Sequence, residues 1–227
     1  MLAFFRAYER TKLYDIVAAL PLMVFFGWSV QQNWPALVEK TYILRFGYVD
    51  LRVAAEALGL FLSVLFAALL IALLVFRTVP TAKSAGYAPR VAAAAGTFLG
   101  VAFLSLPGTL LPTWLTVLSS GLILAGTLGT IVTLLWLGRS FSIMPEARRL
   151  VTRGPYALVR HPVYLFEELT LFGIMLQHAQ PWSLLLFMAQ LGFQLARMGY
   201  EERVLAASFP EYADYAARRK RLIPGVW

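Results

Sequence analysis

The chain has 227 residues, of which 59% are hydrophobic and only 14% are charged, whereas about a quarter of the residues of a soluble domain are charged. This composition excludes an ordinary water-soluble fold, and the absence of cysteine excludes disulfides, thiolate metal sites and cysteine nucleophiles. The net charge of +8 comes from helix ends and loops without an interleaved aromatic stripe, so we expect membrane lipids as partners and no nucleic acid.

The apolar residues fall in blocks long enough to cross a hydrocarbon layer of about 30 Å, which takes about 20 helical residues. They predict an all-α, polytopic transmembrane protein, and no obligate protein partner is evident. In the third block, Gly96 and Gly100 share one helix face, which predicts close approach by a neighbouring helix. The sequence predicts about six spans, at residues 16–30, 53–76, 91–106, 115–137, 163–176 and 182–198.

The lysines and arginines are distributed unevenly over the predicted loops. With the N-terminus inside, only Lys40, Arg45 and Arg52 of the 20 fall in an external loop, the first one. The cytoplasmic set begins with Arg6 and Arg10. An excess of Lys and Arg marks the cytoplasmic side of membrane proteins, so we expect both termini to be cytoplasmic.

The chain also divides by the polarity of its spans. Residues 1–137 offer few polar groups inside the four predicted spans, which is typical of a transmembrane scaffold. Residues 138–227 contain a linker, two spans joined by the short turn 177–181, and an amphipathic tail. Polar and charged residues crowd the cytoplasmic ends of these last two spans, so we expect a C-terminal helical hairpin with a pocket on the cytoplasmic face.

The fifth span is predicted to begin after a turn at Gly154 and Pro155, with Pro162 at its first helical position, where proline is favoured. Arg160 and His161 then lie at a helix N-terminus, whose free N–H groups and dipole favour an anion. The alternative is that both residues only set topology and contact headgroups.

Further charges follow on both helices of the hairpin. Glu167 and Glu168 lie at membrane depth, where a carboxylate is costly unless it is paired or faces a polar cavity. Because adjacent helix positions point about 100° apart, we expect one to face the pocket and one the headgroup zone; the alternative is that both stabilise the helix dipole. Arg197 and Glu201 share a face and form either an exposed ion pair of small value or a pair at the mouth of the pocket.

The basic tail and the histidines have simpler interpretations. The tail cluster at residues 218–221 is interpreted as an anchor to lipid headgroups. The two histidines are predicted to lie on opposite sides of the membrane, and with no cysteine in the chain no metal site is expected.

The order of these motifs resembles the isoprenylcysteine carboxyl methyltransferase and phospholipid methyltransferase group of integral membrane enzymes. The resemblance covers about residues 135–227. Pro210 departs from it, because glycine is usual after the phenylalanine. The residues that carry it are Gly154-Pro155-Tyr156, Arg160-His161-Pro162, Tyr164, Glu201-Glu202, Leu205, Phe209, Tyr212, Tyr215 and Ile223-Pro224.

The resemblance implies S-adenosylmethionine as methyl donor at the cytoplasmic face and a lipid-like acceptor with a carboxylate, amine or thiol group. Arg197 and Glu201 fall at the positions of the catalytic pair. The cofactor-binding set, to which Arg160 and Glu167 are added for their charge, is Tyr156, Arg160, His161, Pro162, Tyr164, Glu167 and Glu202. Relatives of the group include membrane sterol reductases, so an NADPH-dependent reductase is the alternative enzyme, and a lipid-binding or transport protein is the non-enzymatic one.

Overall fold

The computed structural model describes residues 11–47, 50–178 and 180–227. Arg6 and Arg10, which entered the charge argument, lie outside the described residues. The predicted all-α class is confirmed, because the chain is 76% helical and its two strands have two residues each. The helices pack into two compact units, Met1–Val79 and Pro80–Trp227. The functional division predicted at residue 137 is a different one and stays a prediction.

The first unit contains α1 (Lys12–Phe46) and α2 (Leu51–Phe76). Thr11 caps α1 by accepting from the backbone N–H of Tyr14 at 3.2 Å. Helix α1 continues 16 residues beyond the predicted end of the first span at residue 30, so the expected loop start is wrong. Two polar side chains beyond residue 30 bond within the helix: Asn33 donates to the carbonyl of Ser29 at 2.8 Å and Thr41 donates to the carbonyl of Leu37 at 2.7 Å. Polarity alone therefore does not end it.

An ion pair joins the two ends of the first unit. The Arg77 guanidinium donates from Nε to Asp15 Oδ2 at 2.9 Å and from Nη2 to Asp15 Oδ1 at 3.0 Å. Both residues are buried, and Lys12 Nζ also donates to the Arg77 carbonyl at 2.5 Å. Breaking a buried pair leaves an uncompensated charge, so this bidentate contact fixes the first turn of α1 against the end of α2.

Among its described residues, the second unit contains five α-helices and a short two-stranded sheet. Helix α5 packs chiefly against α4, and α6 packs chiefly against α3. In the sheet, Ala82 pairs with Ala147 and Lys83 with Glu146, antiparallel. The elements in chain order are β1 (Ala82–Lys83), α3 (Ala88–Phe98) with a 3₁₀ continuation (Leu99–Ser105), α4 (Thr113–Leu137), β2 (Glu146–Ala147), α5 (Pro162–Gln177), α6 (Pro181–Ser208) and α7 (Tyr212–Arg218).

Three helical stretches of the described chain are long and apolar enough to cross a membrane: Lys12–Phe46, Leu51–Phe76 and Thr113–Ser140. The chain is therefore an integral membrane protein. The predicted third span corresponds to an 11-residue α-helix (Ala88–Phe98) that continues as a 3₁₀ helix (Leu99–Ser105). Helices α5 and α6 form the predicted C-terminal hairpin. The number of six spans stays a prediction.

Glycines allow the helices of the second unit to approach closely. A Cβ on Gly126 would lie 2.7 Å from the backbone N of Thr170 and 2.8 Å from the carbonyl O of Phe166 on α5. The predicted close approach at the glycine pair of α3 and its continuation is confirmed. A Cβ on Gly96 would lie 2.9 Å from Gln194 Oε1, and one on Gly100 would lie 2.7 Å from Leu171 Cδ2.

The packing of α4 on α5 predicts opposite effects for two glycines of one helix. Gly126→Ala drives a methyl group against backbone atoms that cannot rotate away, so it should destabilise the protein by about 1–3 kcal/mol. Gly121→Ala is the matched control, because nothing lies within 4 Å of its Cβ position, and it should be neutral or stabilising. Melting temperatures of the detergent-solubilised variants test this, and equal values for both would contradict the packing argument.

Candidate functional site

The start of α5 is set by a tight turn against α4. Gly154 has a φ of +61°, and a Cβ there would lie 2.4 Å from the Trp136 ring, so only glycine fits. A 3₁₀ helix (Gly154–Ala157) follows, and the buried Tyr156 accepts at its carbonyl from the Tyr215 hydroxyl at 2.8 Å. Pro162 is the first residue of α5, as the sequence predicted. These contacts fix the orientation of residues 156–162.

Helices α5 and α6 bring Tyr164, Arg197 and Glu201 together. The Tyr164 hydroxyl donates to Glu201 Oε1, and the Arg197 guanidinium carbon lies 4.7 Å from the centre of the Tyr164 ring. Arg197 Nε is 3.7 Å from Glu201 Oε1, and Arg197 is only 4% exposed. The interpretation of this pair as an exposed ion pair is therefore wrong, because Arg197 is buried against an aromatic ring and the Glu201 side chain is only 18% exposed.

The carboxylate of Glu202 has three partners. It contacts His161 Nε2 at 3.1 Å, Arg160 Nη1 at 3.0 Å and Arg221 Nη2 at 2.7 Å. Burial of this carboxyl acts to raise its pKa, but the hydrogen bonds from His161 and Arg221 and the nearby charges lower the pKa of Glu202 to about 2. The group is an anion at any physiological pH.

The tail contributes to the site through Arg221, so the interpretation of residues 218–221 as a headgroup anchor is wrong for Arg221 and stays a prediction for the other three. Arg160 N–H donates to the Lys220 carbonyl at 2.8 Å, and His161 N–H donates to the Arg221 carbonyl at 3.0 Å. Through this backbone pairing Arg221 reaches Glu202, whereas Arg218, Arg219 and Lys220 are exposed. Sequence reasoning missed Arg221, because no pattern in the sequence indicates a backbone contact between segments 60 positions apart.

Tyrosines bury the site from the side of the tail. Tyr212 and Tyr215 of α7 are both buried, and their ring centres lie 6.0 Å apart. Burial raises the pKa of Tyr212 to about 12 and raises the pKa of Tyr156 well above its usual value. The three phenols are therefore neutral and act as hydrogen-bonding groups.

Glu167 and Glu168 both face α6, so the expectation that one of them faces the headgroup zone is wrong. Gln194 Nε2 donates to Glu167 Oε2 at 2.8 Å, and Gln190 Nε2 donates to Glu168 Oε1 at 3.0 Å. Gln190 and Gln194 lie four residues apart on one face of α6, and the long glutamate side chains reach partners one turn apart. Both glutamines are fully buried. Their spacing to Arg197 in an apolar span was the sequence signal that could have found them.

Arg197 also connects α6 to α3. Its Nη1 lies 3.1 Å from Thr97 Oγ1 and 3.4 Å from Gln194 Oε1. Thr97 was not among the predicted site residues. The Nε atoms of Arg160 and Arg197 are buried and donate no hydrogen bond. The site therefore offers unused cationic donors beside the carboxylates of Glu167 and Glu201, which suits a ligand that carries groups of both signs.

No group of three or more His, Asp or Glu side chains that could hold a metal ion occurs within residues 11–47, 50–178 and 180–227. The predicted site residues that converge belong to two segments, residues 156–168 and residues 197–202.

Comparison with known proteins identifies the same region. Residues 108–212 match the family model described as phospholipid methyltransferase. Among curated proteins, the chain is 34% identical over 117 residues to the cobalt-zinc-cadmium resistance protein CzcN of Cupriavidus metallidurans, covering 49% of this chain and 52% of the relative. It is 30% identical over 117 residues to the nickel-cobalt-cadmium resistance protein NccN of Alcaligenes xylosoxydans, covering 49% of this chain and 53% of the relative.

The chain thus spans about half the length of the curated relatives it matches. The matched residues 108–212 include α4, α5 and α6 and every site residue predicted from the sequence. The predicted resemblance to this group of integral membrane methyltransferases is therefore confirmed for this part of the chain, which matches the phospholipid methyltransferase family model.

Proposed function

We propose that this protein is an S-adenosylmethionine-dependent methyltransferase that methylates a lipid or lipid-like acceptor at the cytoplasmic face of the membrane. The observation that carries the proposal is the coincidence of the family match with the buried charged cluster. Tyr164 of α5 contacts Arg197 and Glu201 of α6, and all three lie within the matched residues 108–212.

The chemistry of the cluster fits the proposed donor, which carries a carboxylate, an ammonium group and ribose hydroxyls. The free Nε donor of Arg160 suits the carboxylate of the donor, and the glutamates suit its ammonium group or hydroxyls. When bound, the donor would supply a methyl group already activated on a sulfonium. The residues proposed to hold it are Tyr156, Arg160, His161, Pro162, Tyr164, Glu167 and Glu202.

Within this set, Glu202 acts through its neighbours. Its carboxylate is already bonded to Arg160, His161 and Arg221, so it orients the two residues that precede α5. The His161 ring stacks on the Tyr164 ring with a centre distance of 5.4 Å and an interplanar angle of 14°. A rigid wall of this kind favours catalysis because methyl transfer depends chiefly on the alignment of the reacting groups in a water-poor pocket.

Arg197 and Glu201 are proposed as the catalytic residues. Arg197 is a buried cation that can bind an acceptor carboxylate or phosphate. Glu201 can take the proton that an amine or thiol acceptor must lose, whereas a carboxylate acceptor has none to lose. The identity of the acceptor depends on contacts outside this pair.

The proposal is tested by incubating the purified protein with host lipid extract and S-adenosylmethionine labelled in the methyl group. Labelled lipid should form, and mass analysis of the product identifies the acceptor. NADPH binding is measured in parallel, because binding of NADPH without methyl transfer would support a membrane reductase instead. Absence of both methyl transfer and cofactor binding would favour a lipid-binding or transport protein.

The two histidines provide a matched test of the donor site. His161→Ala removes a ring that contacts Glu202 at 3.1 Å, and Glu202→Ala removes the group that holds it, so donor affinity should fall about 10- to 100-fold in either variant. His178→Ala should leave it unchanged, because His178 lies at the other end of α5, where its Nδ1 contacts the carbonyl of Ile174 at 3.0 Å. Isothermal titration with S-adenosylmethionine measures this, and equal affinity in all variants would refute the assignment.

Arg197→Ala should slow turnover while most of the donor affinity is kept. The physical reason is that the buried guanidinium lies beside Glu201 and Tyr164, where charge on the acceptor must be balanced. Arg153→Ala is the control, because Arg153 is exposed. The rate constant at saturating donor and the donor affinity are measured separately, and an unchanged rate constant would remove Arg197 from the mechanism.

The lowered pKa of Glu202 predicts a pH dependence of stability. Its folded pKa of about 2 lies below the ordinary value of 4.5, so its stabilising contribution is complete above pH 4.5 and is lost as the pH falls towards 2. Glu202→Gln should therefore lower the melting temperature near neutral pH, and the difference from the wild type should shrink in acid. The exposed Glu211→Gln serves as control, and a difference independent of pH would contradict the charge argument.

A further inference from the structure

A cavity of about 460 Å³ lies in the second unit, between the loop that connects β1 to α3 and the last turns of α6. Its volume is in the range of small-ligand pockets. Tyr200, Arg203 and Ala207 recur at helical spacing, so they line it from one face of α6. We call it the α3–α6 cavity; its walls are residues 82–89, Tyr200, Arg203, Val204 and Ala207.

The polar groups of the α3–α6 cavity suit an anion. Lys83 and Arg203 are its charged residues, and it has no carboxylate among its lining residues. The Arg203 guanidinium carbon lies 5.4 Å from the centre of the Tyr200 ring, a cation–π contact that holds it at the wall. Lys83 Nζ is 3.8 Å from Glu146 Oε1, which offsets part of its charge. Lysine and arginine are common ligands of phosphate, and hydroxyl groups can donate to its oxygens.

The position of the cavity indicates where the phosphate comes from. Its loop wall ends at residue 89, and the third predicted span begins at residue 91. Its α6 wall begins at Tyr200, and the sixth predicted span ends at residue 198. Both walls therefore lie directly outside predicted spans, at the depth of lipid headgroups. Tyr87, which also lines the cavity, is 82% exposed, as aromatic residues at a membrane interface commonly are.

We propose that the α3–α6 cavity binds the phosphate of a membrane phospholipid headgroup, with Lys83 and Arg203 as its cationic ligands. None of its lining residues belongs to the set proposed for methyl transfer. The lipid site therefore does not depend on the proposed enzymatic activity and can be tested without it.

The full chain, solubilised in detergent, is titrated with phosphatidylglycerol, and bound lipid is measured by native mass spectrometry. One lipid should bind saturably, and diacylglycerol with the same acyl chains should not. Arg203→Gln and Lys83→Gln should each weaken binding about fivefold. Arg149→Gln removes the same charge from an exposed position outside the cavity and should have no effect.

A second variant separates the cavity from its charges. Ala207→Trp keeps both cations and fills the space at an exposed helix position, and it should also weaken lipid binding. Equal loss in the Arg149→Gln control, or unchanged binding in both Arg203→Gln and Ala207→Trp, would overturn the proposal. Glycerol 3-phosphate is included as a competitor, because binding of this compound as tight as that of the lipid would assign the site to a soluble phosphate ester and overturn the lipid assignment.

Discussion

The carboxylate of Glu202 is the contact on which the arrangement of the site depends. It joins three segments that are distant in sequence: the start of α5 through Arg160 and His161, helix α6, and the tail through Arg221. A carboxylate taken out of water is unfavourable unless it is paired and hydrogen-bonded. Because all three partners must be present together, Glu202 fixes the rotation of α6 relative to the start of α5, and that rotation brings Tyr164 opposite Arg197 and Glu201.

The hairpin and its facing residues could be predicted because the reasons for them are local. A turn of five residues between two apolar blocks makes antiparallel neighbours, so the two helix ends that lie away from the turn come together. Tyr164 and Glu201 follow from this geometry. Arg221 does not, since it reaches the site through the pairing of Val159 with Lys220, a contact set by the path of the tail. The prediction that Glu167 and Glu168 face different surroundings failed for another reason. Their side chains are long enough to reach the same helix although adjacent helix positions point about 100° apart.

In the first unit, too, local sequence patterns do not predict where a helix ends or which residues pair between helices. The polar residues after position 30 predict the end of a span, although a helix ends only where its backbone groups find other partners. Thr41 donates to the Leu37 carbonyl at 2.7 Å and leaves the helix intact. The ion pair of Asp15 with Arg77 was also missed, since its members are 62 positions apart. Composition indicated a membrane helix in each case, whereas helix length and the contacts between helices depended on tertiary structure.

The contacts of the site arginines reduce the number of Lys and Arg residues that indicate the orientation of the chain in the membrane. Arg160 and Arg197 belong to the predicted cytoplasmic set, yet each has a partner inside the protein. Arg160 contacts Glu202 at 3.0 Å and Arg197 contacts Thr97 at 3.1 Å. These contacts would account for the two arginines in either orientation of the chain, so neither residue indicates the orientation. The exposed residues Arg149, Arg153 and Arg219 have no such explanation. The linker and the tail meet at the bridge between Val159 and Lys220, so they share one side in any topology. Their exposed arginines therefore favour the cytoplasmic side for both, and the site that lies between them is proposed to open on that side.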